Sequence, residues 1–223
     1  MNIQENIHEV KKELPSNVRL VAVSKFHGVN EILEAYETGH RLFGESRVQE
    51  LIEKQPELPN DIEWHFVGRL QRNKVKFIVP FIQCIHSVDS ERLLLQIERQ
   101  AAIANRVIPC LLQIHIAEED TKAGFSESEC WDFLMKGKWK ELKHIQLAGV
   151  MGMATFTEDE ASVRGEFKKL NTFFKKVKEE FFADAPYFKE ISMGMSSDYK
   201  IAIEEGSTLI RVGSNIFGER EYN

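Results

Sequence analysis

Eight short apolar runs, each followed by a longer stretch of helical periodicity or by the chain's end, recur along these 223 residues. Val- and Ile-rich runs that alternate with helical patterns are typical of βα units and a parallel sheet. We predict strands over residues 18–25, 40–45, 63–68, 83–88, 108–116, 145–153, 188–194 and 208–214. Between them we predict helices over residues 29–39, 46–54, 70–80, 90–105, 126–137, 158–182 and 197–206.

This alternation favours one architecture, a (β/α)8 TIM barrel at the small end of its size range. A doubly wound open sheet is the alternative, although that fold usually uses fewer strands. A further helix over residues 2–14 precedes the first strand, and we expect it to cover the bottom of the barrel. Because no Pro-, Gly- or Ser-rich linker divides the chain, we expect residues 1–223 to form a single α/β domain.

Composition excludes several classes of partner. The formal net charge of −6 gives no net positive field to gather a nucleic acid backbone. No segment reaches the roughly 18 apolar residues of a spanning helix, and the first residues lack the build of a signal peptide. Cys84, Cys110 and Cys130 are an odd number without a C-x-x-C pair, as expected for small buried side chains in a reducing compartment. We expect a cytoplasmic protein that binds neither nucleic acid nor a membrane.

The first predicted strand ends in a lysine, Lys25. In a TIM barrel the carboxyl ends of the strands carry the chemistry, and Val21, Val23 and Lys25 share one face by strand parity. An ammonium group above an apolar layer is poorly solvated, which lowers its pKa and lets the neutral amine add to an aldehyde. The plain alternative is a solvated surface lysine.

Two later stretches indicate a phosphate site. "SMGMSSD" at residues 192–198 leads into a predicted helix with Ser196 among its first residues, and "RVGS" at 211–214 brings Gly213 and Ser214. Backbone amides and hydroxyls at such loops bind phosphate, and barrels most often hold phosphate after strands seven and eight. Each stretch alone is also explained by a helix cap or a turn. Together with Lys25 they favour a phosphorylated aldehyde as the ligand, and pyridoxal 5′-phosphate (PLP) fits that description.

Six motifs then carry a resemblance that covers nearly the whole chain. They are "AVSK" at 22–25, "FGES-VQE" at 43–50, "WHFVG-LQ-NK" at 64–74, "SVDS" at 87–90, "ISMGMSSD" at 191–198 and "GSTLIRVGSNIFGER" at 206–220. With them the chain resembles the pyridoxal phosphate homeostasis proteins, which have the fold of the alanine racemase N-terminal domain. The resemblance implies a PLP-binding barrel in which Lys25 forms the Schiff base and Arg211 faces the pyridine nitrogen. It also implies that Ser196, Gly213 and Ser214 hold the phosphate.

Two positions depart from the family pattern. Ser46 stands where the family usually has Asn, so we expect a hydrogen bond beside the cofactor to be shortened or replaced by water. The usual proline-containing turn after Lys25 is "FHG" at 26–28 here, which predicts a less rigid loop and weaker cofactor binding. His65, at the end of the third predicted strand, either lines the mouth beside the ring or is a packing residue.

The residue types favour a carrier over an enzyme. An arginine such as Arg211 keeps the pyridine nitrogen unprotonated and the ring a weak electron sink, which disfavours transamination and decarboxylation. Racemisation also needs a second acid/base group, and the nearest tyrosine, Tyr222, lies in the terminal tail. We therefore expect a non-catalytic, monomeric PLP-binding protein that stores, buffers or delivers PLP, with PLP-dependent apoenzymes as possible partners. The alternatives are a weak amino-acid racemase and a cofactor-free aldolase.

Two further clusters have weaker interpretations. Gln113, His115 and three acids at 118–120 follow the fifth predicted strand, but one histidine with acids in a loop is weak support for a metal, and we expect none. "GRLQRNKVK" at 68–76 carries four basic residues: Arg69, Arg72, Lys74 and Lys76. We interpret these as a charged outer face, with docking of an acidic partner or an anion as the alternative.

Overall fold

All eight predicted strands are present in the computed structural model, which describes residues 2–117 and 123–218. They are β1 (Arg19–Val23), β2 (Leu42–Glu45), β3 (Glu63–Phe66), β4 (Cys84–Val88), β5 (Ile108–Gln113), β6 (Ile145–Met151), β7 (Glu190–Ser192) and β8 (Leu209–Val212). The strands pair in chain order, all parallel, and β8 pairs with β1. This closed sheet confirms the predicted TIM barrel and excludes the open doubly wound sheet.

Helices follow the strands as predicted, with two differences. They are α1 (Ile3–Lys12), α2 (Val29–Glu37), α3 (Val48–Lys54), α4 (Val75–Ile78), α5 (Glu91–Ile103), α6 (Glu127–Met135), α7 (Glu160–Phe181), α8 (Tyr199–Glu204) and α9 (Ser214–Phe217). The helix predicted over 70–80 is reduced to the short α4 after a 3-10 turn over Arg72–Lys74. The helix ends at Ile78, although Val79, the residue before Pro80, still has helical angles with φ of −53° and ψ of −35°. Helix α9 was not predicted, and its first residue, Ser214, was expected to end a strand.

Strand parity sorts the sheet residues into two apolar layers. Val21 and Val23 of β1 face the barrel interior, where they join one residue or more from β2, β4, β5, β6 and β8. Leu20 and Ala22 point the other way and pack with the helices in the larger outer core. Because successive side chains of a strand alternate between faces, the lysine two residues beyond Val23 is directed to the mouth side of the inner layer.

Helix α1 occupies a different place from the one expected. Its buried residues Ile3, Ile7 and Val10 belong to the outer core, and the helix packs against α2 and α9. Asn6 donates its side-chain amide to the carbonyl of Ile216 at 2.9 Å. The expectation that α1 covers the barrel bottom is wrong, because its apolar stripe at i, i+4 and i+7 packs into the outer helical layer instead.

The structure confirms that the cysteines are buried, as the sequence predicted. Cys84, Cys110 and Cys130 are buried and form no disulfide. Burial raises the pKa of the Cys130 thiol to about 12, so these groups behave as small apolar side chains. Among the described residues, no helix combines the length and the apolar character needed to cross a membrane.

Candidate binding site at the barrel mouth

A cavity of about 630 Å³ opens at the carboxyl ends of the strands. This volume lies within the range of about 300–1,000 Å³ that is usual for small-molecule pockets. Six of the seven residues predicted for the site line it: Lys25, Ser46, Ser196, Arg211, Gly213 and Ser214. The fold therefore brings together residues from the loops after β1, β2, β7 and β8, as the sequence analysis expected; the role of each remains a prediction.

The structure corrects the prediction for His65, the seventh residue. Its ring is buried inside the barrel and is absent from the lining of the cavity in the described part of the chain. His65 Nδ1 lies 2.8 Å from His86 Nε2, and His86 Nδ1 lies 2.9 Å from the hydroxyl of Ser192. The direction of the side chain follows from strand parity, but its depth depends on how the strands are staggered around the barrel.

Both histidines are uncharged inside the barrel. Burial lowers the pKa of His65 to about 3 and holds the pKa of His86 well below its usual 6.5. Their ligand atoms and the thiol of Cys84 lie within 4.8 Å of one another, close enough to consider a metal ion. The nearby positive charges of Arg19 and Arg211, which also lower the His86 pKa, oppose a cation here. We therefore assign the cluster to hydrogen bonding beneath the cavity.

Arg211 sits at the top of this hydrogen-bonded column and lines the cavity. Its guanidinium donates to Ser192 Oγ at 2.6 Å and to the carbonyl of Gly152 at 3.1 Å. Burial lowers the Arg211 pKa to about 10, while Asp198 opposes that shift, so the group remains a cation at neutral pH. A guanidinium has five N–H donors and no acceptor, so Arg211 can only donate to a ligand above it.

Buried charges behind the barrel wall hold the strand end that carries Lys25. The Lys54 ammonium donates to the Glu45 carboxylate at 2.8 Å and to the carbonyl of Ser24 at 3.0 Å. The hydroxyl of Ser24 donates to the same Glu45 oxygen, at 2.8 Å. Burial raises the pKa of Glu45 despite the neighbouring Lys54, and the second oxygen of this carboxyl has no hydrogen-bond partner among the described residues.

The residue on the other side of Lys25 is fixed by the same group of charges. The amide of Phe26 donates to Glu50 at 2.8 Å, and Lys54 donates to that carboxylate oxygen at 3.1 Å. Phe26 adopts a left-handed backbone with φ of 69°, which is uncommon for a side chain of this size. The network thus pins both chain neighbours of Lys25, and sequence reasoning missed it because Ser24, Glu45 and Lys54 meet only in the fold.

The rest of this loop is also anchored. His27 Nδ1 lies 2.7 Å from one carboxylate oxygen of Glu31, and the amide of Gly28 donates to the other at 2.7 Å. The His27 ring stacks on Phe217 with centroids 5.0 Å apart. This turn without proline is therefore held by side-chain contacts.

Beside the end of β1, hydrogen bonds join the loops after β7 and β8. The amide of Gly213 donates to the hydroxyl of Ser196 at 3.1 Å, and the side chain of Asn215 donates to the Ser196 carbonyl at 3.1 Å. A Cβ on Gly213 would lie 3.1 Å from the carbonyl oxygen of Val23, so the missing side chain lets β8 and β1 approach closely here.

Helix α8 begins later than predicted and is capped differently. It starts at Tyr199, and the carboxylate of Asp198 accepts the amide of Met195 at 2.6 Å instead of capping the helix. Gly194 has φ of +93°, and a Cβ there would come within 2.6 Å of the Ala202 Cβ. Gly194 therefore sets the close packing of the helix on the end of β7.

Other residues that line the cavity were not singled out for it from the sequence. Apolar members are Val67, Met153, Phe156 and Met195, and polar members include Arg69, Gln113 and Asn215. Most of them follow a strand end, which is the one signal that could have found them. Gln113 was considered as a metal ligand, and its side chain donates to the carbonyl of Ala123 at 3.3 Å. The acids at 118–120 and Tyr222 lie outside the described residues.

The donor set suits a phosphorylated aldehyde. Hydroxyls of Ser196 and Ser214 lie on the cavity with the first turn of α9, whose leading amides have no intrahelical acceptor. Lys25 supplies a primary amine, and Arg211 supplies a buried cationic donor on the same cavity. The polar groups lie on apolar walls, as in most small-molecule sites.

Comparison with known proteins identifies relatives along nearly the whole chain. The family model described as "Alanine racemase, N-terminal domain" matches residues 1–221. The chain is 36% identical over 208 residues to the pyridoxal phosphate homeostasis protein of Aquifex aeolicus, with 92% of this chain and 88% of the relative covered. It is 37% identical over 215 residues to the protein of that name from Synechocystis, with 95% and 96% covered.

Solved structures agree with these sequence relatives. PipY of Synechococcus elongatus, solved with PLP bound, superposes with a TM-score of 0.86 at 37% identity, with 97% of this chain and all of that chain covered. An alanine racemase from Clostridium difficile shares the fold at a TM-score of 0.77 and 15% identity, with all of this chain and 57% of that chain covered. The chain belongs to the alanine racemase N-terminal domain family and, within it, to the pyridoxal phosphate homeostasis proteins.

Proposed function

We propose that this protein binds PLP at the barrel mouth and serves in intracellular PLP homeostasis by storing, buffering or delivering the cofactor. The observation that carries the proposal is the convergence of Lys25, Arg211 and the loops after β7 and β8 on one cavity. The names of its curated relatives and the PLP-bound structure of PipY support the same ligand.

The proposed roles follow from the position of each group. PLP supplies an aldehyde that bonds reversibly to a primary amine, and Lys25 is the amine on the cavity wall. Ser196, Gly213 and Ser214 would hold the phosphate through hydroxyls and amides, and Arg211 would donate to the pyridine nitrogen. Ser46, which lines the cavity on the loop after β2, would offer a hydroxyl beside the ring.

We propose that the protein is a carrier and not an enzyme. Arg211 is cationic and has no acceptor, so it keeps the pyridine nitrogen unprotonated and the ring a weak electron sink. A shared fold with alanine racemase does not carry activity across, because function resides in the site. Racemisation, the second candidate, would also need a second proton-transfer group on the far face of the substrate.

Three finer statements belong to the same proposal. We propose that the protein acts as a monomer. Three buried cysteines without disulfides support a reducing, cytoplasmic location. PLP-dependent apoenzymes are the proteins that need what a PLP carrier releases, and we propose them as its partners.

The experiment is a titration of the purified protein with PLP, followed by near-visible absorbance. We expect a saturable yellow band in the wild type, its loss in Lys25→Ala, and its retention in the matched control Lys175→Ala, an exposed lysine of α7 outside this cavity. Incubation of the loaded protein with alanine in heavy water, followed by mass spectrometry, tests the racemase alternative through exchange of the α-proton. Absence of the band from the wild type would refute PLP binding, and exchange that depends on Lys25 would refute the carrier proposal.

A further inference from the structure

A second, larger depression adjoins the cavity at the barrel mouth. It has a volume of about 1400 Å³ and is formed by the loops after β2, β3 and β4, the first turns of α3 and α5, and Gly124. Ser46, Arg69 and Asp89 line both this depression and the cavity of the proposed PLP site. A molecule bound in the larger depression therefore lies beside the opening of the PLP cavity. We call the larger depression the basic groove.

Positive charge dominates the basic groove. Five cations line it: Arg47, Arg69, Arg72, Lys74 and Arg92. Within the described residues, Asp89 is the one acidic side chain in that lining. A chain with a formal net charge of −6 thus concentrates cations at this place. Such a local field attracts anionic groups and speeds their encounter with the surface.

The cations of the groove are not used within the fold. Across the part of the chain that the structure describes, Arg69, Arg72, Lys74 and Arg92 form no ion pair and no side-chain hydrogen bond. Arg47 is the exception, because it lies 3.7 Å from Glu50 and over the ring of Phe26. By contrast, Arg41 and Arg164 on other surfaces are paired with acids at 2.6–2.8 Å. The basic face is therefore available to a partner.

The shape of the groove favours an extended partner. Its volume exceeds the usual range of about 300–1,000 Å³ for small-molecule pockets, and its cations are spread over three successive loops and not focused on one point. A single phosphate would contact only part of this surface. Arginine forks pair with carboxylates through two parallel hydrogen bonds, and arginine is enriched at protein interfaces. A long nucleic acid would instead meet the net negative charge of the rest of the chain.

We propose that the basic groove docks an acidic segment of a protein that exchanges PLP with this chain. The inference rests on the proposed function, because the groove opens onto the PLP cavity and a partner docked there would sit beside Lys25. Docking in the groove would hold an amine of the partner at the mouth, where it could add to the aldehyde carbon of PLP while the bond to Lys25 breaks and the free Lys25 amine is released.

The test uses fluorescein-labelled octaglutamate as the probe and fluorescence anisotropy as the measurement, with the PLP-loaded protein. We compare the wild type with Arg72→Glu/Arg92→Glu, two groove residues that do not line the PLP cavity. The matched control is Lys175→Glu/Lys176→Glu, the same charge change on the exposed face of α7. We expect Kd to rise about tenfold or more in the groove variant and less than about twofold in the control. Binding should weaken as salt rises.

Several results would overturn the inference. They are no binding of octaglutamate to the wild type, equal weakening in both variants, and tighter binding of oligothymidylate than of the peptide, which would assign the groove to nucleic acid. A PLP titration of the same proteins separates the two proposals. Retained PLP binding with lost peptide binding supports the groove, whereas a wild type that binds the peptide but not PLP contradicts the proposed function and leaves an acidic-peptide site without its cofactor role.

Discussion

Two neighbouring parts of the barrel mouth are held by different kinds of contact. On the side of Lys25, three ionisable groups behind the cavity wall, Glu45, Glu50 and Lys54, hold the backbone on either side of that lysine. On the side of the proposed phosphate site, neutral amides and hydroxyls such as those of Gly213 and Ser196 join the loops. None of the three charged groups lines the cavity among the described residues.

The difference follows from what each side must hold. A phosphate brings its own negative charge, so neutral dipoles and the path of the backbone suffice to bind it. A lysine must be held by fixing the chain on both sides of it, and here charged side chains behind the wall do so. The lysine side should therefore respond to changes of side-chain charge, and the phosphate side to changes of backbone conformation.

The largest expected effect is on the lysine side. Lys54→Met removes the ammonium that joins Glu45, Glu50 and the carbonyl of Ser24, and breaking a buried ion pair from one side costs about 3–5 kcal/mol. Urea unfolding measures the loss. Adding Glu45→Gln to the variant should recover part of it, because the buried carboxylate is then gone. Lys175→Met, on the exposed face of α7, is the control, and a similar small effect at both sites would refute the network.

On the phosphate side, a substitution that strains the backbone should lower the stability of the protein. Gly194→Ala places a Cβ 2.6 Å from the Ala202 Cβ at φ of +93°, and strain of this kind costs about 1–3 kcal/mol. Gly165→Ala is the matched control, because that glycine lies in the interior of α7 with open space around its Cβ position. It should stabilise the protein by about 0.5–1 kcal/mol. Equal effects of the two substitutions in thermal unfolding would contradict the comparison.

Removing a single neutral hydrogen bond on the phosphate side should cost less. Ser196→Ala leaves the Gly213 amide without its acceptor, at about 0.5–1.5 kcal/mol in the free energy of unfolding. The neighbouring Ser197→Ala removes an exposed hydroxyl and should stay within about 0.5 kcal/mol of the wild type. PLP affinity should also fall in Ser196→Ala. If Ser197→Ala lowered the free energy of unfolding as much as Ser196→Ala, the loss could not be assigned to the hydrogen bond between Ser196 and Gly213.

The smallest effect should appear as a dependence on pH. Burial opposes the ionised form of Glu50, but the Phe26 amide and the Lys54 ammonium outweigh it and hold the Glu50 pKa below its usual 4.5. A lowered carboxyl pKa stabilises the fold above the unfolded-state pKa, and this contribution is lost as the pH falls through the folded-state value. The unfolding free energies of the wild type and Glu50→Gln should differ by less than about 1 kcal/mol, because the Glu50 side chain is partly exposed. This difference should shrink below pH 4.5.

The control for this titration is Glu53→Gln, an exposed residue of the same helix. A gap for Glu50→Gln that widened toward acid would have the wrong sign for a lowered pKa and would remove Glu50 from the network.

The sequence predicted those features of the fold that depend on local periodicity. All eight strands follow from apolar runs set between helical patterns, and the inward direction of Val21 and Val23 follows from the parity of β1. Helix α9 was missed because four residues, Ser214–Phe217, are too few to show a helical period. The helix predicted over 70–80 contained the right apolar residues, but only Val75–Ile78 became helical.

The residues of the site likewise divide into those that local sequence patterns predict and those whose position depends on the fold. The position of Lys25, Arg211 and Ser214 on one cavity could be predicted because barrels place function at strand ends. The depth of His65 could not, because it depends on the stagger of strands. The support of Lys25 by Glu45 and Lys54 also escaped prediction. The pairing of Glu50 with Lys54 at i and i+4 is visible along one helix, but the contact of Lys54 with Ser24 spans 30 residues.

The measurement that tests the central claim most directly is borohydride reduction of the PLP-loaded protein, followed by proteolysis and mass spectrometric mapping of the modified lysine. The structure predicts that the reduced cofactor is found on Lys25 alone and that Lys25→Ala carries none. Label distributed over other lysines, or retained in Lys25→Ala at the wild-type level, would contradict a site built around Lys25 at the mouth of this barrel.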